Sequence, residues 1–174
     1  MREVTTLTTD RFTMRPLQRG DEKALFPTLS DPEQCLYLSR PAFESEEELW
    51  GWLAEPTWPG RTWIAVDTAG ERAGEVAGRF VAMPAHADDV NEIGYITCAN
   101  RQREGIAREC MAALIEHLFA TGIRKITAEV DTRNAASIRL IEALRFTREA
   151  LLREHEMTHV GMCDVYWYGR LATD

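Results

Sequence analysis

The chain has 174 residues, 45% of them hydrophobic and 28% charged, with a formal net charge of -8 at pH 7. That length suits a single domain over residues 1–174 with one sizeable core, and no apolar run approaches the roughly 20 residues that span a bilayer. The acidic balance argues against nonspecific nucleic-acid binding, which relies on Lys and Arg against phosphates, and is compatible with a cationic partner such as an amine.

Cys35, Cys98, Cys110 and Cys163 are scattered with no CxxC pair. Neither a disulfide framework nor a four-cysteine zinc site is expected, and the thiols should be reduced and mostly buried. The start, MREVTTLTTDRF, lacks the charged-then-apolar layout of a secretory signal, so the expected location is the cytoplasm.

In chain order, LTTDRFTMRPL (7–17) alternates Phe12 and Met14 with polar neighbours and reads as a first strand. A short helix should start at Asp21 as N-cap, limited or bent by Pro27. Pro32 of SDPE suits a first helical turn, and SEEE (45–48) is a capping box ahead of LWGWL. From Trp63 the period changes: TWIAVD, EVAGRFVAM and NEIGYITCA are β-branched and aromatic runs separated by turn formers, an antiparallel meander. Ile106, Cys110, Leu114 and Leu118 then make a helical stripe that ends at Gly122. KITAEVD (125–131) alternates like a strand, Asn134 opens a second helix with Ile138, Ile141 and Leu144, and MCDVYWYGRL closes the chain as a strand. The expected class is α+β, a mixed, mostly antiparallel sheet of about seven strands with about four helices on it.

Two stretches carry chemistry. HEMTH (His155, Glu156, His159) has the spacing with which a helix closes two imidazoles on one zinc, and it raises a zinc hydrolase as a remote alternative. ITCANRQREGIARE (96–109) runs a strand through a short loop into a helix, with Gln102, Gly105 and Ala107 in a Q-x-x-G-x-A pattern. Small residues there let backbone N–H groups approach a ligand, and the helix start adds free donors and the positive end of its dipole. That combination suits a phosphate, and Arg101, Arg103 and Arg108 add positive charge.

QREGIA after NEIGYITCA, followed by a helix, KITAEVD and NAASIRLIEALRF, resembles the acyl-CoA binding core of the GNAT superfamily of N-acyltransferases. LTTDRFTMRPL with SDPE, the EIGY of the fourth expected strand and the ending LLREHEMTHVGMCDVYWYGRL resemble the branch of the ribosomal-protein N-terminal acetyltransferases, the RimJ/RimL-like proteins. The resemblance implies an acetyl-CoA-dependent N-acetyltransferase that acts on a primary amine, a protein N-terminus or a small amine, by direct attack in a ternary complex. No metal is implied, and the protein would be a monomer or homodimer.

Residue by residue, it implies that Gln102 belongs to the pyrophosphate motif and that the backbone amides of Arg103, Glu104, Gly105, Ile106, Ala107 and Arg108 cradle the pyrophosphate. Ile96, Thr97 and Cys98 would hold the pantetheine arm by strand-like hydrogen bonds, beside a splay between NEIGYITCA and KITAEVD. A backbone N–H near Thr97 or Cys98 would polarise the acyl carbonyl. Asn134 would line the far side of the arm, or serve as a helix N-cap, or both.

Glu92 is the candidate base. Seven residues after Asn134 the superfamily often has a tyrosine as acid. Here that position is Ile141, so Ser137 is the expected replacement, and a catalytically weak acyl-CoA-binding protein is the alternative. Arg145 stands where the family usually has glycine, which puts that turn in question. Tyr37, Trp50, Trp52, Trp58 and Glu44 to Glu48 are candidates for shaping the acceptor site. With residues 147–157 extended as the sixth strand, His155 and His159 could not chelate together, and His155 becomes at most a substrate-side residue.

Overall fold

A computed structural model describes residues 4–174; the first three residues, part of the leader reading, lie outside the described residues. Strands β1 (Leu7–Thr8) and β2 (Phe12–Pro16) lead into helices α1 (Asp21–Leu29) and α2 (Glu46–Leu53). The meander β3 (Arg61–Asp67), β4 (Val76–Pro84) and β5 (Val90–Thr97) follows, then α3 (Ile106–Ala120), β6 (Lys125–Asp131) and α4 (Ala135–Ala143). The long hairpin β7 (Thr147–Thr158) and β8 (Gly161–Leu171) ends the chain. All eight strands join one sheet in the order β1-β2-β3-β4-β5-β6-β8-β7, antiparallel except between β5 and β6.

The first expected strand is two strands. Thr9 N–H donates to Phe12 O at 2.8 Å and Phe12 N–H to Thr9 Oγ1 at 3.0 Å, which closes a tight turn inside the run 7–17. Glu109 of α3 pins that turn by accepting from Thr9 Oγ1 and from Arg11 N and Nε. Asp21 is the first residue of α1 rather than its cap; Gly20, at φ 106°, occupies the cap. The Asp21 carboxylate instead accepts from Gln18 N–H and from both terminal nitrogens of Arg15. Pro32 lies in successive turns, not a helix. The box at 45–48 forms in part as expected: Ser45 Oγ accepts from Glu48 N–H at 3.2 Å, while the Glu48 carboxylate reaches Glu44 N–H rather than Ser45.

Helices cover both faces of the sheet. On one, Phe12, Met14, Trp63 and Phe80 meet Cys110, Met111, Leu114 and Leu118 of α3 and Ile141 of α4. On the other, Ile64 and Cys98 meet Leu25, Leu29, Leu49 and Leu53 of α1 and α2. Each such side chain taken out of water contributes about 1.5–3 kcal/mol before the entropy of ordering it is subtracted. All four cysteines are free and buried.

β5 and β6 pair at only three positions, Val90 with Lys125, Asn91 with Ile126 and Glu92 with Thr127. Beyond Glu92, β5 stays with β4 as far as Thr97 while β6 stays with β8 as far as Asp131. Each strand keeps its antiparallel partner, and the sheet parts between them.

Candidate active site

The parting opens into a cleft of about 740 Å³ floored by β5 and β6, with the β5–α3 loop at one end and α4 along one side. Of the sequence-predicted residues, Ile96, Thr97, Gln102, Arg103, Gly105, Ile106, Ala107, Arg108, Asn134 and Ser137 line it. Glu92, Cys98 and Glu104 do not.

The loop end is built for backbone donors. Arg103 at φ 66° and Gly105 at φ 79° both take left-handed conformations, which turns the chain sharply into α3. The first turn of α3 leaves its N–H groups without intrahelical acceptors, and the residues that carry them, Ile106, Ala107 and Arg108, line the cleft. Charge pairs fix the loop from behind. Arg101, only 4% exposed, forks onto both oxygens of Asp67 at 2.7 and 3.1 Å and reaches Glu104 at 3.0 Å. Arg72 takes the other Glu104 oxygen, and Arg11 donates to Glu104 O. Arg101 is therefore a brace and not a free cation for the ligand, and the Glu104 carboxylate is engaged away from it. Gln102 donates its amide to Gln34 Oε1 at 2.7 Å, tying the α1–α2 connection to the loop.

Strand alternation decides which amides of β5 face the parting. Cys98 N–H donates to Ala77 O at 3.0 Å, so the backbone groups of Cys98, and by the two-residue period those of Ile96 and Gly94, point to β4. Those of Thr97, Tyr95 and Ile93 point into the cleft. Of the two expected carbonyl-polarising amides, Cys98 is committed to the sheet and Thr97 is available. The expected strand-like role of Ile96 and Cys98 is corrected for the same reason: Ile96 offers only its side chain, and Cys98 is 2% exposed in the core beneath. Thr97 also carries a buried Oγ1 with no partner, an orphan that fits a hydrogen-bonding arm laid along β5.

Asn134 is the N-cap of α4, its Oδ1 accepting from Ser137 N–H at 3.0 Å, and it still lines the cleft. The Ser137 hydroxyl sits 2.7 Å from the Tyr95 hydroxyl. Tyr95 is a site residue that motif reasoning passed over. It stood inside EIGY, and its odd spacing from Glu92 was the available signal that it faces the opposite side of the sheet, where α4 lies. Burial pushes its phenol up, partly offset by the bond to Ser137, so it stays protonated. Ile141, 1% exposed, is a core residue beside the cleft.

At the closed end of the parting stands Glu92, half-buried on the face toward α1 and α2. Burial, with Glu129 and Glu156 as like charges, pushes its carboxyl up to about 7. Glu129, on the same face of β6, lines the cleft, is raised chiefly by burial, and has His155 Nε2 at 3.6 Å. HEMTH lies on strand β7 and the turn after it, so the helix its zinc reading needs is not formed. His159 Nδ1 lies instead 3.1 Å from Leu38 O. The α1–α2 connection thereby roofs the cleft, helped by Tyr37, whose hydroxyl donates to Arg133 O at 3.2 Å. Of the acceptor-side candidates, Tyr37 and Trp52 line the cleft and Trp50 packs on the α1–α2 core. Trp58 lies over the Arg79 guanidinium, and Glu46 to Glu48 form the first turn of α2.

The family model for an acetyltransferase (GNAT) domain matches residues 11–147. The uncharacterized N-acetyltransferase p20 of Bacillus licheniformis is 28% identical, with 97% of each chain covered. An acetyltransferase (GNAT family) from Bacillus anthracis superposes with a TM-score of 0.87 at 20% identity, over 98% of this chain and 100% of that one. Spermidine N-acetyltransferase from Vibrio cholerae, solved with CoA and spermine, superposes with a TM-score of 0.79 at 20% identity, over 93% of this chain and 96% of its own. The parted sheet, the amide-lined turn into α3 and these likenesses agree: the chain belongs to the GNAT acetyltransferase family and is an acetyltransferase enzyme.

Proposed function

We propose that the protein transfers an acetyl group from acetyl-CoA to a primary amine by direct attack. The observation that carries the reading is the coincidence of two features: pairing between β5 and β6 stops at Glu92, and the strand it frees leads into the amide-lined turn at residues 103–108.

The amides of residues 103–108 would receive the pyrophosphate at the helix start. The Thr97 and Tyr95 backbone, the Thr97 hydroxyl and Asn134 would hold the pantetheine arm. Acetyl-CoA supplies the activated acyl group. An inward amide of β5 polarises its carbonyl. Glu92, with a pKa of about 7, takes the proton of the incoming ammonium through Glu129 or water. Ser137 donates to the leaving sulfur and is resupplied by the Tyr95 phenol, which supports a working acid despite Ile141.

The opening LTTDRFTMRPL, EIGY and the closing hairpin keep the RimJ/RimL-like branch as our placement within the family. The roof made by Tyr37 and His159 favours a small amine over a protein N-terminus. The ordinary setting would be the cytoplasm; no described helix is long and apolar enough to cross a membrane. The test is a thiol-release assay with acetyl-CoA over a panel of small amines and peptides. Amine-dependent release supports the reading, and none across the panel leaves only acyl-CoA binding.

A further inference from the structure

Arg79 lies in the middle of β4, on the sheet face toward α1 and α2, opposite Ile96 of β5 and Ile64 of β3. It is 6% exposed, and no carboxylate of the described residues meets it. Among the described residues its one hydrogen bond is a long one, Nη2 to Thr62 Oγ1 at 3.4 Å, and its Nε is buried without a partner there. Trp52 and Trp58 hold the guanidinium at 4.6 and 5.4 Å from their ring centroids. Burial, with no opposing anion, lowers its pKa to about 10, so it stays charged at neutral pH.

A cation in that condition is unusual. Arg101, the other buried arginine that lines the cleft, has the Asp67 carboxylate as its partner. Stacking on two indoles offsets only part of the loss of water around a charge. The side chain also lines the cleft, in company with Trp52, Val81, Gly94 and Tyr37. Val81 and Gly94, paired across β4 and β5, lie between Arg79 and the Glu92 end of the same sheet face. Gly94 keeps that floor low, because its place above the sheet is already approached by the Val81 side chain, 3.1 Å from where a Cβ would stand. The cleft floor thus runs from an unpaired guanidinium, over apolar ground, to the carboxylate of Glu129, with Glu92 beyond the lining at the closed end of the parting.

We propose that the acceptor is an amino-carboxylate, its carboxylate received by the Arg79 fork and its ammonium by the Glu92–Glu129 end, where it is deprotonated and acetylated. This rests on the acetyltransferase reading above and adds the acceptor's class to it. A guanidinium presents a planar pair of donors that matches a carboxylate bidentately. The two Trp rings then exclude water from the pair. Arg79 and Glu92 stand four residues apart along the strands, so roughly 13 Å of backbone separates their positions. The acceptor's two charges should accordingly be separated by several bonds.

The experiment measures kcat/KM at saturating acetyl-CoA for ω-amino carboxylates of rising length, from glycine to aminohexanoate, each beside its carboxamide. At the best length the acid should exceed the amide by roughly 10- to 100-fold, because the amide leaves the fork unpaired. In Arg79→Gln that ratio should collapse toward one while acetyl-CoA affinity holds. Arg79→Lys, which keeps the charge in the same packing, should retain part of it. Equal rates on acid and amide in the wild type, or a preference that survives Arg79→Gln in a folded variant, overturns the proposal. If no amine is acetylated, the acetyltransferase reading fails separately. Calorimetric binding of the same pairs to the CoA-loaded protein then decides the anion site, with tighter acid supporting it and equal binding overturning it.

Discussion

The Tyr95 hydroxyl and the Ser137 Oγ lie 2.7 Å apart and join β5 to the first turn of α4 across the cleft. The bond puts a phenol kept protonated by burial behind a serine that lines the cleft. On the proposed mechanism, a proton given up by Ser137 would be replaced along it.

Ser137→Ala should therefore lower kcat by about 100-fold or more, the usual worth of a positioned acid, and leave the KM for acetyl-CoA within about threefold. Tyr95→Phe should cost less, and the double variant should be no worse than Ser137→Ala, since the two act as one unit. Steady-state kinetics on the three variants checks this. Additive losses would show that the residues act independently.

The carboxyl of Glu92 predicts opposite effects on activity and stability. Its basic form dominates only above about pH 7, so kcat/KM should rise with pH and level off there. Its pKa is raised above the ordinary 4.5, so the folded state holds the proton more tightly than the unfolded chain does. Stability is then fully present below about pH 4.5 and is lost as pH climbs through about 7. Glu92→Gln should lose most activity yet gain on the order of 1–3 kcal/mol at pH 8 and almost nothing at pH 4. Denaturant melts at the two pH values, beside initial rates, measure both signs.

Arg145 sits at the left-handed position that ends α4, at φ 66°. Its N–H donates to Glu142 O and that of Phe146 to Ile141 O, the paired bonds of a helix stop that favours glycine. The family's usual glycine is replaced, but the turn it makes is kept, under strain. Arg145→Gly should stabilise the fold by about 0.5–1 kcal/mol, strain relief less the extra freedom of the unfolded chain. Chemical denaturation reads this, and a destabilised variant would show that the arginine side chain holds something worth more than the strain.

His155 and His159 take separate partners, Glu129 and Leu38 O. Exhaustive treatment with a zinc chelator should leave amine-dependent thiol release unchanged. Loss of activity that returns with zinc would restore the hydrolase-type reading of HEMTH.

How far the sequence led depends on whether the deciding physics was local. The amphipathic stripe Ile106–Leu118, the Ser45 and Asn134 caps and the meander are matters of periodicity and short hydrogen bonds, and the structure has them where the residues indicate. The turn at Thr9 was less legible, because its stop comes from Glu109, a hundred residues on in the chain. Cys98 and Thr97 could not be told apart without the register of β5 on β4, since a shift of one residue exchanges their roles. Arg101 and Arg79 show the same limit most plainly. In the sequence both are arginines near glycines. Only the fold gives one Asp67 and leaves the other unpaired among tryptophans.

The central claim is that the turn at residues 103–108 holds acetyl-CoA, and calorimetric titration of acetyl-CoA into wild type and Gly105→Glu tests it most directly. Gly105 combines a left-handed backbone with a Cβ position 3.6 Å from Arg11 Nη2, so a glutamate there strains the cradle and draws Arg11 away from the Glu104 carbonyl that it braces. The account predicts micromolar binding in the wild type and at least roughly tenfold weaker binding in the variant, with the fold retained. Equal affinity in the two proteins would contradict it.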